Sequence, residues 1–454
     1  MRILQSRLYK QAPTLTFKLL LGLTLFFALL KPCFATDLVD IYQAAAKNDT
    51  VYQAAVSTRL STREAIPQSV AALLPSINGQ AKLTSNYQNI TQTPPGSPFG
   101  VSQFQSRGYS ISLTQPLLNI GDWLALKQAN NTGRQADATL GAAAQSLVYR
   151  VANAYFQVLL AQDNLHLAQS EKAANAKQLE QAQERVRVGL DALTTVYEAK
   201  AAYDKSIAAE ITAQNALRNS QETIRQITGQ TYADLNTFKQ VLPLLSPQPA
   251  NVEQWITTAT AYNLNLMASR YAMAAARDNI KVKASGHLPT VNLVGSYGRD
   301  DGLNIGTTNR NSAVVGLQLN VPLFSGGAVS SNTRKAEYDF QTASANLDNQ
   351  YRQVIVATRQ KYNDVLADIS KIKAERQAIK SAQLSLDSTQ ESFSTGTRTI
   401  VDVLLAQQNL YDAKRNAASD QYTYLLDSLL LKQQAGTLKP DDLQQINQWL
   451  RKNT

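Results

Sequence analysis

Few side chains in this sequence could carry covalent or metal chemistry. The only two histidines are His166 and His287. His166 falls in a long helical stretch and His287 just ahead of a strand, so no metal-ligand spacing exists. Cys33 is the single cysteine. Gly326-Gly327 suggests a phosphate loop, but its counterpart in an internal repeat, Asn119-Ile120-Gly121, marks a strand-to-helix junction instead. With no nucleophile elbow and no paired carboxylates, neither an enzyme nor a cofactor is expected. What remains is electrostatic. On a helix starting after Gly396, Asp402 lies one turn past Arg398, so both can share one face.

The elements that position them are written twice. Tyr155, Gly189 and Gly229 recur at a constant offset of 207 as Tyr362, Gly396 and Gly436. Leu74-Pro75-Ser76-Ile77 is echoed by Leu288-Pro289-Thr290-Val291, and Gln115-Pro116-Leu117 by Val321-Pro322-Leu323. A unit of about 200 residues exceeds any solenoid or propeller repeat and implies two similar halves.

The N-terminus sets the compartment. Arg2, Arg7, Lys10 and Lys18 precede the apolar run from Leu19 to Leu30, and Cys33-Phe34-Ala35 offers small residues around a cleavage point. Residues 1–35 are therefore expected to be a secretory signal peptide. The run is too short for a transmembrane anchor. Loss of the leader removes Cys33 and lowers the net charge from +10 to about +5. No cluster of Lys and Arg interleaves with aromatics, so no nucleic-acid partner is expected.

Period-two alternation predicts four strands, at 76–87, 108–118, 289–298 and 312–323. Ile77, Ala81, Leu83 and Tyr87 alternate with Asn78, Gln80, Lys82 and Asn86, and Val315, Leu317 and Leu319 with Gly316, Gln318 and Asn320. One apolar and one polar face over about ten residues fits transmembrane barrel strands. Tyr87, Tyr109 and Tyr297 lie toward the loops, where an aromatic girdle belongs. The loops between paired strands are expected at Thr93-Pro94-Pro95-Gly96-Ser97-Pro98 and Arg299-Asp300-Asp301-Gly302. Four strands cannot close a barrel, and open edges are not tolerated in lipid. An obligate homo-oligomer follows.

The rest is expected to be helix of unusual length, free of proline from Leu117 to Leu242 and from Leu323 to Lys439. The first repeat, 36–251, holds helices 38–73, 120–188 and 190–228. The second, 252–454, holds helices 252–283, 327–395 and 397–434 with a closing segment at 436–454. A helix of 120–188 would run about 100 Å. The two shorter helices of each half, end to end, match its long one. A narrow apolar seam, such as Val151, Tyr155 and Val158, suits close helix-to-helix contact.

The stretch from Gly396 to Leu404, Gly-Thr-Arg-Thr-Ile-Val-Asp-Val-Leu, followed by Asn409-Leu410-Tyr411-Asp412-Ala413-Lys414, resembles the TolC family of outer-membrane efflux and secretion channels. The weaker twin runs from Val188 to Val196. The resemblance implies an α+β membrane protein: a long periplasmic α-helical barrel and a twelve-stranded β-barrel shared by a homotrimer. It implies the exit duct of a tripartite efflux pump or type I secretion system, lodged in outer-membrane lipid and joined to an inner-membrane pump through a periplasmic adaptor. The hairpin tips, here Val188, Gly189, Leu190 and Thr395, Gly396, Thr397, would meet the adaptor and form the gated entrance.

In the family a tip arginine and tyrosine bond a threonine and an aspartate on the other hairpin. Arg398 and Thr194 match, but Phe393 stands for the tyrosine and Thr195 for the aspartate, implying a looser latch. Asp402 would ring the constriction in three copies, with Leu405 where a second aspartate is usual. The competing reading is an exported coiled-coil scaffold or adhesin without a pore.

Overall fold

The computed structural model describes residues 37–91, 100–232, 234–238, 242–303 and 307–451. The expected leader and the proline-rich loop at 93–98 lie outside these residues.

In chain order the first half comprises α1 (Leu38–Asn48), α2 (Thr50–Arg63), α3 (Ala65–Ala71), β1 (Ser76–Ile90), β2 (Gly100–Leu118), α4 (Ile120–Arg187) and α5 (Leu193–Thr228). A short β3 (Thr237–Phe238) follows. The second half holds α6 (Val252–Tyr262), α7 (Leu264–Ala284), β4 (Thr290–Leu303), β5 (Thr307–Asn320), α8 (Ala328–Ser394) and α9 (Ile400–Gln434). The chain closes on α10 (Pro440–Asn447) and β6 (Leu450–Arg451).

Two of the three added helix breaks share one reason, and the third, at Glu64, has no side-chain cap. The helix expected at 38–73 is three helices, and the one at 252–283 is two. Asp49 caps α2 by accepting from the Tyr52 amide at 2.6 Å, and Asn263 caps α7 by accepting from the Leu266 amide at 3.0 Å. A side chain that captures the next helix's free amides ends the preceding one. Both caps are also anchored elsewhere. Arg150 donates twice to Asp49 at 2.8 Å, and the Asn263 amide donates to the Gln434 carbonyl at 2.9 Å. The second helices of the hairpins start later than expected, at Leu193 and Ile400 rather than at 190 and 397.

The strands are longer than expected at their outer ends, β2 beginning at Gly100 and β5 at Thr307. Arg299 to Gly302, expected as a loop, are part of β4, because Arg299 to Asp301 pair with both neighbours. They form one antiparallel sheet in the order β1-β2-β4-β5. Register places Ile77, Leu113, Gly295 and Val315 in one row, and Gly79, Ile111, Tyr297 and Ala313 in the next. Cross-strand partners project to the same face, so these rows form a continuous apolar surface. The opposite face carries rows such as Gln80, Ser110, Gly298 and Ser312. Val294 and Val314 are exceptions on that polar side. Tyr109 and Tyr297 sit near the far end of the apolar face, but Tyr87 lies several residues beyond them and is not level with that pair. Among the described residues no helix is long and apolar enough to cross a membrane.

Packing is concentrated in a belt at mid-length of the long helices. Tyr155, Phe156 and Leu159 of α4 meet Val365 and Ile372 of α8, Leu425 and Leu429 of α9, and Leu38 and Ile41 of α1. Phe156 stacks on Phe238 with ring centroids 6.3 Å apart, and both rings meet Tyr422. The segments between and after the repeats complete the belt. Leu235, Leu443 and Leu450 are buried in it, and β3 pairs with β6. Away from the belt the long helices are held mainly by narrow seams and ion pairs.

Candidate functional site at the hairpin tips

Both long hairpins reverse through the same backbone device. Gly189 has φ +75° and Gly396 φ +79°. Across each glycine the helix closes with a six-to-one bond, Leu190 amide to Arg185 carbonyl at 2.8 Å and Thr397 amide to Ser392 carbonyl at 2.9 Å. That left-handed cap satisfies carbonyls the helix end leaves free, and glycine adopts it at least cost. A Cβ at either glycine would meet nothing within 4 Å, so the constraint is backbone conformation and not space.

The side chains on the turns differ. Val188 and Leu190 are 58% and 67% exposed, and Leu193 and Tyr197 extend the same apolar surface onto α5. Thr395 and Thr397 are exposed too, but they fold back on the helix end, both hydroxyls donating to the Ser392 carbonyl at 3.0 and 2.9 Å. Ala192 gives α5 no side-chain cap, whereas Thr399 and Asp402 form a full capping box on α9. The Thr399 amide donates to Asp402 Oδ2 at 2.9 Å. This backbone bond, then the Thr399 hydroxyl, then the nearby Arg398 charge, hold the Asp402 carboxyl below the usual carboxylate range.

The expected latch residues are not joined within one chain. Arg398 reaches Asp402 at 3.7 Å on its own hairpin and is largely exposed. Among the described residues no hydrogen bond links it to Thr194, which is exposed, or to Thr195, whose amide bonds the Ala192 carbonyl. Leu405 and Val401 are exposed one turn apart on α9.

Phe393 has a partner that the sequence did not reveal. It is buried with Ala182, Leu386, Ile400, Val403 and Leu410, and the Arg185 guanidinium stands 4.8 Å from its ring centroid. Asp191 aims that guanidinium, accepting from Nε at 2.7 Å and from Nη2 at 3.2 Å. The bond to Asp191 raises the Arg185 pKa further, so the cation is permanent. Higher up, Gln407 donates to Asn175 at 2.7 Å inside the seam, and Arg415 pairs with Glu171 at 2.8 Å. The hairpins of one chain are thus tied by cation–π, amide and ionic contacts. Phe393, which lacks a hydroxyl, meets a cation within its own chain. Among the described residues no group of histidine, cysteine and carboxylate side chains could hold a metal.

The family model described as "Outer membrane efflux protein" matches this chain twice, over residues 41–230 and again over 255–437. This chain belongs to that family. It is 39% identical to the outer membrane protein TolC of Vibrio cholerae over 92% of this chain and 94% of that one. It is 35% identical to TolC of Escherichia coli K12, covering 86% of that protein. A secretion relative, the proteases secretion protein PrtF of Dickeya chrysanthemi, is 29% identical over 92% of each. In fold it is similar to the Campylobacter jejuni CmeC outer membrane channel, with TM-score 0.76 and 16% identity, covering 90% of this chain and 88% of that one. This outer-membrane efflux family member is a channel of the Gram-negative outer membrane that extends into the periplasm, and the family is one of channels and not of enzymes. Nothing in the comparisons favours a poreless scaffold.

Proposed function

We propose that this chain is the exit duct of a tripartite efflux or type I secretion machine, working as a homotrimer without catalytic chemistry of its own. The observation that carries the reading is the open sheet. Among the described residues β1 and β5 each have one neighbour, and the sheet has one apolar face. Unpaired strand edges cannot stand in hydrocarbon, so β1 of one copy must pair with β5 of the next. Three copies give twelve strands, the number the family resemblance implies.

In this reading the tips at Gly189 and Gly396 point into the periplasm, where an adaptor links them to an inner-membrane pump. Arg398, Asp402 and Leu405 of three chains surround the entrance, with Phe393, Thr194 and Thr195 behind them. Named relatives include both TolC proteins and a protease-secretion protein, which supports a passive conduit whose cargo is chosen by the pump.

The test is cross-linking between strand edges. Cysteines at Ile77 in β1 and Val315 in β5 should couple neighbouring chains through a reagent shorter than the ~14 Å that three strand spacings separate them within one chain. Cysteines two residues along each strand cover the unknown register between copies. A ladder ending at three chains is expected in membranes. A ladder ending elsewhere, or no coupling at any register, would overturn the assembly.

A further inference from the structure

The lipid-type face of the sheet ends in a charged cluster that channel function does not use. On β5 the apolar face runs from Leu319 to Ala313, about 20 Å along the strand. The next two rows on that face are Ala81, Tyr109, Arg299 and Asn311, then Leu83, Arg107, Asp301 and Asn309. Asp301 accepts from Arg299 Nε at 2.9 Å and lies 3.5 Å from Arg107 Nε. Two guanidiniums therefore share one carboxylate. Asp301 is mostly buried between them, but the Arg107 side chain is 78% exposed.

We propose that Arg107 and Arg299 form a binding site for the phosphate of an anionic membrane lipid. Three features converge. The cluster begins where the apolar face stops, with Tyr109 and Tyr297 beside it, which is the depth of lipid headgroups. It carries one uncompensated positive charge, and a guanidinium fork matches phosphate oxygens better than water does. Both arginines sit on the two central strands, β2 and β4, so neighbouring copies pairing at β1 and β5 would leave the site uncovered. Asp301 holds the pair in place by satisfying one edge of each guanidinium and leaving further N–H donors to point outward.

The test uses the purified full-length assembly in a phosphate-free detergent, with bisphosphorylated lipid A or its dephosphorylated form as probe and native mass spectrometry as readout. Wild type should retain the phosphorylated probe about fivefold more than the dephosphorylated one. R107Q/R299Q should lose that preference, while K82Q, at the same level on the lumen face, should keep it. If the double variant does not assemble, R107Q alone is used, since the Arg107 contact with Asp301 is long and the side chain is exposed. Equal retention of both probes by wild type, an unchanged preference in R107Q, or an equal loss in K82Q would overturn the site.

Discussion

At the first hairpin tip Val188 and Leu190 flank Gly189 and stand exposed, whereas at the second Thr395 and Thr397 flank Gly396 and bond their own helix end. The two turns share one backbone, with glycine φ values of +75° and +79° and the same six-to-one closure. Duplication has kept the turn and let the surfaces diverge. The first tip offers apolar area that a partner can cover. The second returns through a capping box that fixes Asp402 and carries Arg398 outward, a surface suited to the pore. We therefore propose that docking falls chiefly to the first tip and gating to the second.

The largest effect should come from spoiling the first surface. Val188→Asp with Leu190→Asp would bury unpaired carboxylates in the adaptor contact, costing several kcal/mol and so more than about a hundredfold in affinity. Export of a toxic dye should fail while assembled protein remains in the outer membrane. Thr395→Ala with Thr397→Ala should keep export within about twofold. Equal losses at both tips would erase the division. Gly396→Val probes the shared turn. A branched side chain in the left-handed region costs about 1–2 kcal/mol, and the open space around it spares assembly. Assembled but export-deficient protein is expected on membrane fractionation, and loss of assembly would mean that the glycine serves folding alone.

The next effect concerns the tie between the hairpins. Arg185→Ala removes a cation–π contact worth about 0.5–1 kcal/mol per chain, so about 2 kcal/mol over three copies. Resting conductance in planar bilayers should rise about tenfold or more. Arg398→Ala breaks only a 3.7 Å exposed contact within the chain and should change it less. The reverse order would place the latch between chains at Arg398.

Much of this architecture was legible in the sequence. The twin glycines gave both turns, and proline-free stretches gave the long helices within a residue or two, because such features act locally. Two of the helix breaks are marked in the sequence, since Asp49 and Asn263 are good capping residues at the offset that relates Leu74 to Leu288. The outer halves of the strands were not, since Gln103, Ser106 and Asn309 lack apolar alternation and are placed by their cross-strand register. Arg185 could not be assigned to Phe393 from the sequence. The contact joins residues 208 apart on different hairpins, and no period marks it. The same distance hid the Asn175–Gln407 bond, whose members read as polar intrusions into a seam.

The smallest effect is in pH. Two hydrogen bonds from Thr399 depress the Asp402 carboxyl, while repulsion between its copies across a wet pore would act in the opposite direction. A depressed carboxylate keeps its charge above its unfolded pKa, and charge and cap are lost only as pH falls through the lower folded value. Cation block measured from pH 7 down to 5 should therefore stay level and fade below about pH 4. Fading between pH 7 and 5 would show that the three copies crowd one another more closely.

The assignment of gating to the second hairpin is tested most directly by single-channel recording with a trivalent cation on the periplasmic side. Asp402→Asn is the variant of choice, since it removes the charge and retains an acceptor for the Thr399 amide. Wild type should show weak but measurable block from its single anionic ring, Asp402→Asn should show none, and Leu405→Asp should block more strongly. Unchanged block and selectivity in Asp402→Asn would put this residue off the pore and contradict the assignment.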